Sequence, residues 1–218
     1  MSIRALIGAL GKAGTGKSTK LRQLAKPCRR LLVADADGTW DAGPGEIEVE
    51  GAPALFALLG PIAAAATPVP FRIVYRDAAD RMKWAAPRVV FALRNCTLLV
   101  DELAWLCTPS YAPPPLAQVV QFGRIRRINV LYTTRQPQEI FNPFLSEANR
   151  LYFFRIERSN GLTRVKRDWP DLVTKLPLLN EFPPPAEFCT YGNPAIEKLL
   201  GREGLDFSPT RLLSSRRT

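Results

Sequence analysis

Histidine is absent from this sequence of 218 residues. The absence excludes histidine general bases, Ser-His-Asp triads and histidine metal ligands. Any catalysis therefore has to use carboxylates, lysine, arginine and a bound metal.

Cysteine is scarce, with four residues at positions 28, 96, 107 and 189. They form neither a C-x-x-C pair nor a spacing typical of metal ligands. We expect reduced core thiols rather than disulfides, and hence a reducing compartment.

No apolar run approaches the ~20 residues that a membrane helix needs. The first eight residues lead directly into a glycine-rich segment and leave no room for a cleavable signal, so neither a signal peptide nor a membrane span is expected. The Ala-rich stretch 52–66 is interrupted by Pro53, Gly60 and Pro61, which indicates a surface helix or loop.

Acidic residues are outnumbered, 20 against 30 Lys and Arg, which gives a formal charge of +10. The stretch 120–175 contributes +6 of this charge, and Arg211, Arg216 and Arg217 form a basic tail without acids. Such a balance suits a polyanion, and nucleic acid is the obvious candidate. The alternative is a solvated surface with a frayed end.

Length and a hydrophobic content of 46% predict one α/β domain, residues 1–207, followed by a basic tail, residues 208–218. Apolar runs alternate with helical patterns, which indicates a mainly parallel sheet flanked by helices. We predict strands near 4–10, 30–34, 71–75, 97–100, 129–133, 151–156 and 188–191, and helices near 17–25, 79–93, 115–126 and 142–147. Residues 36–70 are expected to be irregular, 159–161 to turn a hairpin, and the last strand to form an antiparallel edge.

The strongest motif lies between the first strand and the first helix. It reads Gly11-Lys12-Ala13-Gly14-Thr15-Gly16-Lys17-Ser18, with Thr19 following, and matches the phosphate-binding loop G-x-x-x-x-G-K-[ST] in its required context. In such a loop the backbone N–H groups face the phosphates, Lys17 reaches the β- and γ-phosphates, and the Ser18 hydroxyl binds Mg²⁺. ATP and Mg²⁺ are therefore the predicted ligands.

A second motif supplies carboxylates. The apolar strand Cys96-Thr97-Leu98-Leu99-Val100 ends in Asp101 and Glu102. Asp101 would hold the metal shell and Glu102 would polarise the attacking water. A water-activating glutamate favours a hydrolytic motor over a small-molecule kinase.

A third segment runs from Gln121 to Pro137 and contains Gly123-Arg124 on a predicted helix and Thr134-Arg135-Gln136-Pro137 at a strand end. With the two earlier motifs, residues 3–191 resemble the FtsK/HerA superfamily of DNA translocases, most closely the small genome-packaging ATPases of tailless, membrane-containing viruses. That family has a Gly-Arg or Ala-Arg helix before a strand that ends in Thr-Gln-Arg-Pro or similar.

The resemblance implies a RecA-like P-loop fold and two further site residues. An arginine from a neighbouring subunit would neutralise charge at the γ-phosphate, with Arg124 the candidate and Arg126 or Arg127 as substitutes. A polar residue would sense that phosphate. Gln136 is the candidate for this sensor, but the order of residues here is Arg-Gln, so Arg135 is the alternative.

The resemblance also implies partners. We expect double-stranded DNA, further copies of the chain in a ring of six, and a portal or vertex protein of a virion as a further candidate. The expected location is the host cytoplasm or the virion.

Two other functions stay open at this point. Lys12 and the segment Ala34-Asp35-Ala36-Asp37 are similar to partition ATPases of the ParA/MinD type, although that type has Gly where Ala13 stands and does not usually place Glu after the second-motif Asp. A basic DNA-binding structural protein that keeps its P-loop for stability is the other reading. If the chain is not a partition ATPase, Asp35 and Asp37 would be polar groups at the carboxyl edge of the sheet.

Overall fold

The computed structural model describes residues 5–156, 159–173 and 188–189. Its strands are β1 (Leu6–Leu10), β2 (Arg30–Asp35), β3 (Ile47–Glu50), β4 (Phe71–Arg76), β5 (Cys96–Asp101), β6 (Ile128–Thr134), β7 (Arg150–Phe153) and β8 (Phe188–Cys189). Its helices are α1 (Lys17–Ala25), α2 (Ala52–Ala64), α3 (Ala79–Leu93), α4 (Pro114–Arg126), α5 (Asn142–Ser146), α6 (Ser159–Asp168) and α7 (Pro170–Val173), and 3₁₀ turns cover Leu103–Trp105 and Pro137–Glu139.

A parallel sheet forms the centre of the molecule, with strands in the order β3-β4-β2-β5-β6-β1-β7. The central strands β1 and β5 are buried along their whole length because helices cover both faces of the sheet. Since the strands are parallel, the ends of β1, β2, β5 and β6 meet at one edge. The predicted α/β fold is confirmed.

Helices lie on both faces of this sheet. On one face α1 contributes Leu21 and Leu24 to a cluster with the alternate residues of the central strands. The larger cluster on the other face includes Leu55 of α2, Met82 of α3 and Leu116 of α4. Among the described residues, no helix combines the length and apolar character needed to cross a membrane.

The region 36–70 is more regular than its composition predicts. It contains β3, which pairs in parallel with β4, and α2, which buries Leu55 and Leu59. The expectation of an irregular excursion is therefore wrong for these residues, whereas the helical alternative given for the Ala-rich stretch 52–66 agrees with α2. Short elements at a sheet edge obtain their stability from tertiary packing rather than from local propensity, so Gly and Pro near them mislead a sequence-based prediction.

The hairpin expected at Ser159-Asn160-Gly161 is also wrong, because these residues begin α6. A β-carbon on Gly161 would lie 2.9 Å from Ile156 Cγ2, so glycine lets the helix approach the chain that follows β7. Val165 of the same helix is buried in the larger hydrophobic cluster. Close packing, rather than turn formation, explains this glycine.

The predictions for the C-terminal region extend beyond the described residues. Phe188–Cys189 pairs antiparallel with Tyr152 and Phe153. Two residues do not establish the antiparallel edge, which stays a prediction. The domain boundary at 207 and the basic tail lie outside the described residues.

Candidate nucleotide site

The predicted phosphate loop lies at the carboxyl edge, between β1 and α1. Gly11 N–H donates to the Thr134 carbonyl at 3.0 Å, and Lys12 N–H donates to the Arg155 carbonyl at 2.7 Å. Gly11 has a φ of +145°, and a β-carbon here would lie 2.8 Å from Phe154 Cβ. The loop is thus bonded to the ends of both strands that flank β1, and Gly11 leaves room for that approach.

One carbonyl organises the inside of the loop. The Lys12 oxygen accepts hydrogen bonds from Lys17 Nζ at 2.9 Å and from Thr15 Oγ1 at 2.8 Å. Gly16, with a φ of 100°, turns the chain into α1. Burial lowers the pKa of Lys17, and the carboxylates of Glu102 and Asp101 oppose that shift. The Lys17 ammonium therefore lies inside the loop, where phosphate oxygens could replace the carbonyl.

The remaining residues of the motif surround this centre. The side chains of Lys12, Ala13 and Thr19 are exposed, as is Gly14. Helix α1 begins directly after the loop, at Lys17, and helix N-termini favour anions. The arrangement fits phosphate binding by the backbone N–H groups.

Asp101 lies beside Ser18, the other residue of the predicted metal site. Ser18 Oγ donates to Asp101 Oδ1 and Oδ2 at 3.0 and 3.2 Å, across 83 residues of sequence. Thr133 Oγ1 donates to Asp101 Oδ1 at 2.7 Å from the next strand. The carboxylate is therefore aimed at the start of α1.

Glu102 follows β5 in a left-handed conformation, with a φ of 61°. Its N–H donates to Thr133 Oγ1 at 2.7 Å. Its Oε1 accepts from Arg135 N–H at 3.1 Å, and Oε2 lies 3.2 Å from Arg135 Nε. Burial raises the pKa of Glu102, opposed by Arg135 and Lys17. The carboxylate is held inside the site rather than in solvent.

The two alternatives for the sensor occupy different surroundings. The Arg135 side chain extends toward Glu102 and Asp37 and is half-exposed. Gln136 is buried, and its Oε1 accepts a hydrogen bond from Gln138 Nε2. Both follow Thr134, whose carbonyl accepts a hydrogen bond from Gly11 N–H, and the contact with Glu102 places Arg135 at the site.

Arg124 does not join this group within one chain. It lies near the end of α4, next to the start of β6, whereas the site lies at the end of β6. Seven strand residues span roughly 20 Å at 3.3 Å per residue. Arg124 therefore lies far from the nucleotide site of its own chain.

Thr133 is a site residue that the sequence reasoning missed. Its hydroxyl accepts from Glu102 N–H and donates to Asp101. A hydroxyl residue at the end of a buried strand next to the strand with the carboxylates was the available signal.

Metal binding by protein side chains alone is not indicated. Among the described residues there is no group of three or more His, Cys, Asp or Glu that could hold a metal ion. Ser18 Oγ and Asp101 nevertheless form a pair of hard oxygen donors, which suits Mg²⁺ because that ion keeps several waters and also takes phosphate oxygens.

Solved structures of other proteins resemble this fold, although the sequence comparisons find no match. The sequence matches no model of a known protein family and no curated protein. The chain is similar to the genome packaging NTPase B204 of Sulfolobus turreted icosahedral virus 2 in complex with ATPγS, with a TM-score of 0.61 and 12% identity over 81% of this chain and 87% of that one. For the complex of that protein with AMPPCP the TM-score is 0.62 at 12% identity, over 86% and 97%.

A third structure, of B204, the DNA-packaging ATPase from Sulfolobus turreted icosahedral virus, gives a TM-score of 0.58 at 11% identity over 87% of this chain and 93% of that one. At this level of identity the likeness establishes the fold. The chain therefore has the fold of a P-loop NTPase, in agreement with the resemblance drawn from its sequence.

Proposed function

We propose that this chain is an ATP-hydrolysing translocase of double-stranded DNA that packages a viral genome. The observation that carries the proposal is the hydrogen-bonded chain Ser18–Asp101–Thr133–Glu102, which assembles a phosphate loop, a metal ligand and a candidate water-polarising carboxylate at one edge of the sheet. Structures of the similar packaging NTPase contain the ATP analogues ATPγS and AMPPCP, which supports a nucleoside triphosphate as the ligand.

The residues present fit a magnesium ion. Ser18 Oγ and Asp101 are within 3.0 Å of each other and offer the oxygen ligands that Mg²⁺ prefers. When bound, the ion would neutralise charge on the nucleotide phosphates. Ser18 and Asp101 are therefore the residues that would hold it.

The chain's own groups then have separate roles. The loop amides and Lys17 bind and orient the phosphates, since a buried ammonium attracts phosphate more strongly than an exposed one. Glu102, fixed by Thr133 and Arg135, accepts a hydrogen bond from the attacking water. Gln136, oriented by Gln138, contacts the γ-phosphate through its amide N–H.

In a ring, a neighbouring subunit would bring Arg124 to a nucleotide site that this residue does not reach within its own chain. Ile125, next to Arg124 on α4, is 80% exposed, and Phe122 lies one turn before it. Exposed apolar side chains beside an arginine suit contact with another copy. In this arrangement Arg124 enters the neighbour's nucleotide site. The proposed ring has six subunits, and its basic loops face a central channel. It acts in the host cytoplasm or the virion, where a portal or vertex protein is its further partner.

The charge supports DNA as the substrate. Net charge is +10, and the exposed Arg135, Arg155, Lys166 and Arg167 all lie in the part of the chain that follows β6. Duplex DNA attracts such surfaces without sequence preference, as a packaging motor requires.

ATPase assays with and without long duplex DNA, together with the mass of the assembled particle in ATP analogue and DNA, test the proposal. We expect duplex-stimulated hydrolysis and a closed ring of several subunits. An ATP-dependent dimer would indicate a partition-type switch instead. DNA binding without hydrolysis would indicate a structural protein.

A further inference from the structure

Three residues from three strand ends form a chain of charges at the edge of the nucleotide site. Arg135 Nε lies 3.2 Å from Glu102 Oε2, and another nitrogen of the same guanidinium lies 3.4 Å from Asp37 Oδ2. Arg135 follows β6, Glu102 follows β5, and Asp37 follows β2. One arginine therefore holds two carboxylates, one of which is the candidate water-polarising group.

Glu102 has both of its oxygens engaged by Arg135. The backbone N–H bonds Oε1, and the guanidinium pairs with Oε2. The first contact is set by the backbone, whereas the second depends on a long side chain that is 52% exposed. A carboxylate paired with a guanidinium is a weaker acceptor for a proton of water, because its negative charge is already compensated.

Asp37 differs from its neighbour Asp35 in its surroundings. Asp35 is buried and accepts hydrogen bonds from the backbone N–H groups of Thr39 and Trp40, and it also pairs with Arg76. Asp37 is partly exposed, and within the described residues Arg135 is the partner of its carboxylate. Asp35 shapes the loop, while Asp37 is available to take the guanidinium.

We propose that Arg135 is a positioning residue that restrains Glu102 until a phosphate group draws the guanidinium away, and that Asp37 then holds it. This inference rests on the proposed function of the site. The exposed side of Arg135 is open to a phosphate group from two sources, the nucleotide or the DNA backbone. Arginine suits this exchange because its planar group can donate to a phosphate and a carboxylate at once. The charged groups facing Glu102 are Lys17, Asp101 and Arg135.

The first experiment compares turnover by the full chain with ATP alone and with ATP and duplex DNA. Arg135→Gln removes the guanidinium and keeps the backbone N–H. We expect it to raise the DNA-free kcat about two- to fivefold, the upper part of the range for a partly exposed ion pair. Asp37→Asn is expected to lower kcat by a similar factor with KM for ATP unchanged. The double variant is expected to match Arg135→Gln alone, because Asp37 acts through Arg135.

The two phosphate sources give different results. If DNA releases the guanidinium, Arg135→Gln abolishes stimulation by DNA. If the nucleotide does, the variant keeps the wild-type ratio of kcat with DNA to kcat without DNA. A loss of kcat in Arg135→Gln with nucleotide binding retained overturns the inference, as does an Asp37→Asn effect that persists at full size in the Arg135→Gln background.

A second experiment does not require hydrolysis. Thermal unfolding of the nucleotide-free protein is measured for Arg135→Gln, Glu102→Gln and the double variant. We expect the two shifts in Tm to be non-additive by about 1–3 °C, the size that one ion pair gives in a chain of this length. Arg88→Gln, an exposed arginine whose ring contact is with Trp84 of the same helix, serves as the control and is expected to be additive with Glu102→Gln.

The two experiments separate the possible failures. Additive shifts for Arg135 and Glu102 overturn the positioning role whether or not the protein hydrolyses ATP. Non-additive shifts in Tm together with a wild-type protein that lacks ATPase activity in the presence of DNA would contradict the proposed function. The contact between Arg135 and Glu102 would still be supported.

Discussion

Thr133 Oγ1 accepts a 2.7 Å hydrogen bond from the backbone N–H of Glu102 and so joins the end of β6 to the residue that follows β5. The same hydroxyl donates to Asp101, so one side chain orients both carboxylates of the site. A buried threonine hydroxyl is thereby used in both its donor and its acceptor capacity.

Replacing Thr133 by Val removes these two bonds while keeping the side-chain shape. We expect a loss of about 1–3 kcal/mol in the free energy of unfolding, because the buried Glu102 N–H loses its partner. Turnover is expected to fall with KM for ATP nearly unchanged. Denaturant titration and steady-state kinetics measure both. Thr97→Val is the control: that buried hydroxyl donates to Cys28 Sγ away from the site, so a smaller loss and normal turnover are expected.

Glu102→Gln separates binding from hydrolysis. The amide keeps the size of the side chain but is a poor acceptor for a proton, so we expect kcat to fall about 10²- to 10⁴-fold with nucleotide affinity retained. Equilibrium binding of a fluorescent ATP analogue and phosphate release give the two quantities. Lys17→Ala is the matched comparison and should lose binding as well. Wild-type hydrolysis by Glu102→Gln would show that another group acts on the water.

Arg124→Ala tests the contribution of a neighbouring subunit. We expect normal nucleotide binding and a fall in turnover of about 10³- to 10⁵-fold under DNA-saturated conditions. Because Arg124 lies at the opposite edge of its own sheet, mixing inactive Arg124→Ala with inactive Lys17→Ala subunits should restore part of the activity. Hydrolysis at the wild-type rate by Arg124→Ala would rule out the assignment.

Arg126→Ala is the control for α4 in that experiment. The Arg126 guanidinium stacks 4.5 Å from the centre of the Phe91 ring, within the same chain. Its loss should therefore change stability by about 0.5–1 kcal/mol rather than turnover.

Gly11→Ala and Gly60→Ala should change stability in opposite directions. At Gly11 a β-carbon would meet Phe154 and the Arg155 carbonyl within 2.9 Å at a φ of +145°, so we expect a loss of about 2–4 kcal/mol. At Gly60, an exposed position in α2, a β-carbon would meet nothing within 4 Å outside its chain neighbours and its own helix backbone. Alanine should add at most about 0.5 kcal/mol, because the gain in helix propensity is reduced by Pro61, which disfavours a helical residue with a β-carbon before it. Chemical denaturation of the two variants checks both signs.

Thiol alkylation reports on the integrity of the core. Burial raises the pKa of Cys96 to about 12 and that of Cys107 to about 11, so both stay protonated at pH 8, and the thiolate is the reactive form. Cys28 is half-buried and lines a cavity of about 570 Å³ at the other edge of the sheet. Peptide mass spectrometry after iodoacetamide should show Cys28 modified at least about tenfold faster than these two. Equal rates would mean that the core opens.

The sequence alone was sufficient for the elements with strong local signals. The loop from Gly11 to Ser18 needs glycines where the backbone approaches phosphate, and β5 is a mostly apolar run that ends in Asp101, so both could be located without a structure. The helices Lys17–Ala25 and Ala79–Leu93 could be predicted because their apolar residues recur with the period of a helix. Asp37 could be placed at the carboxyl edge for the same reason as Asp101.

Tertiary structure decided the features that depend on contacts between distant residues. β3 and α2 form because β4 and α3 offer them an edge and a face, and α6 replaces a hairpin because Gly161 allows it to pack on Ile156. Thr133 joins the site only because β6 lies beside β5, and Arg135 reaches Glu102 and Asp37 only because three strands end together. Residue types and spacing encode the local chemistry, whereas the order of strands in the sheet determines which side chains share a site.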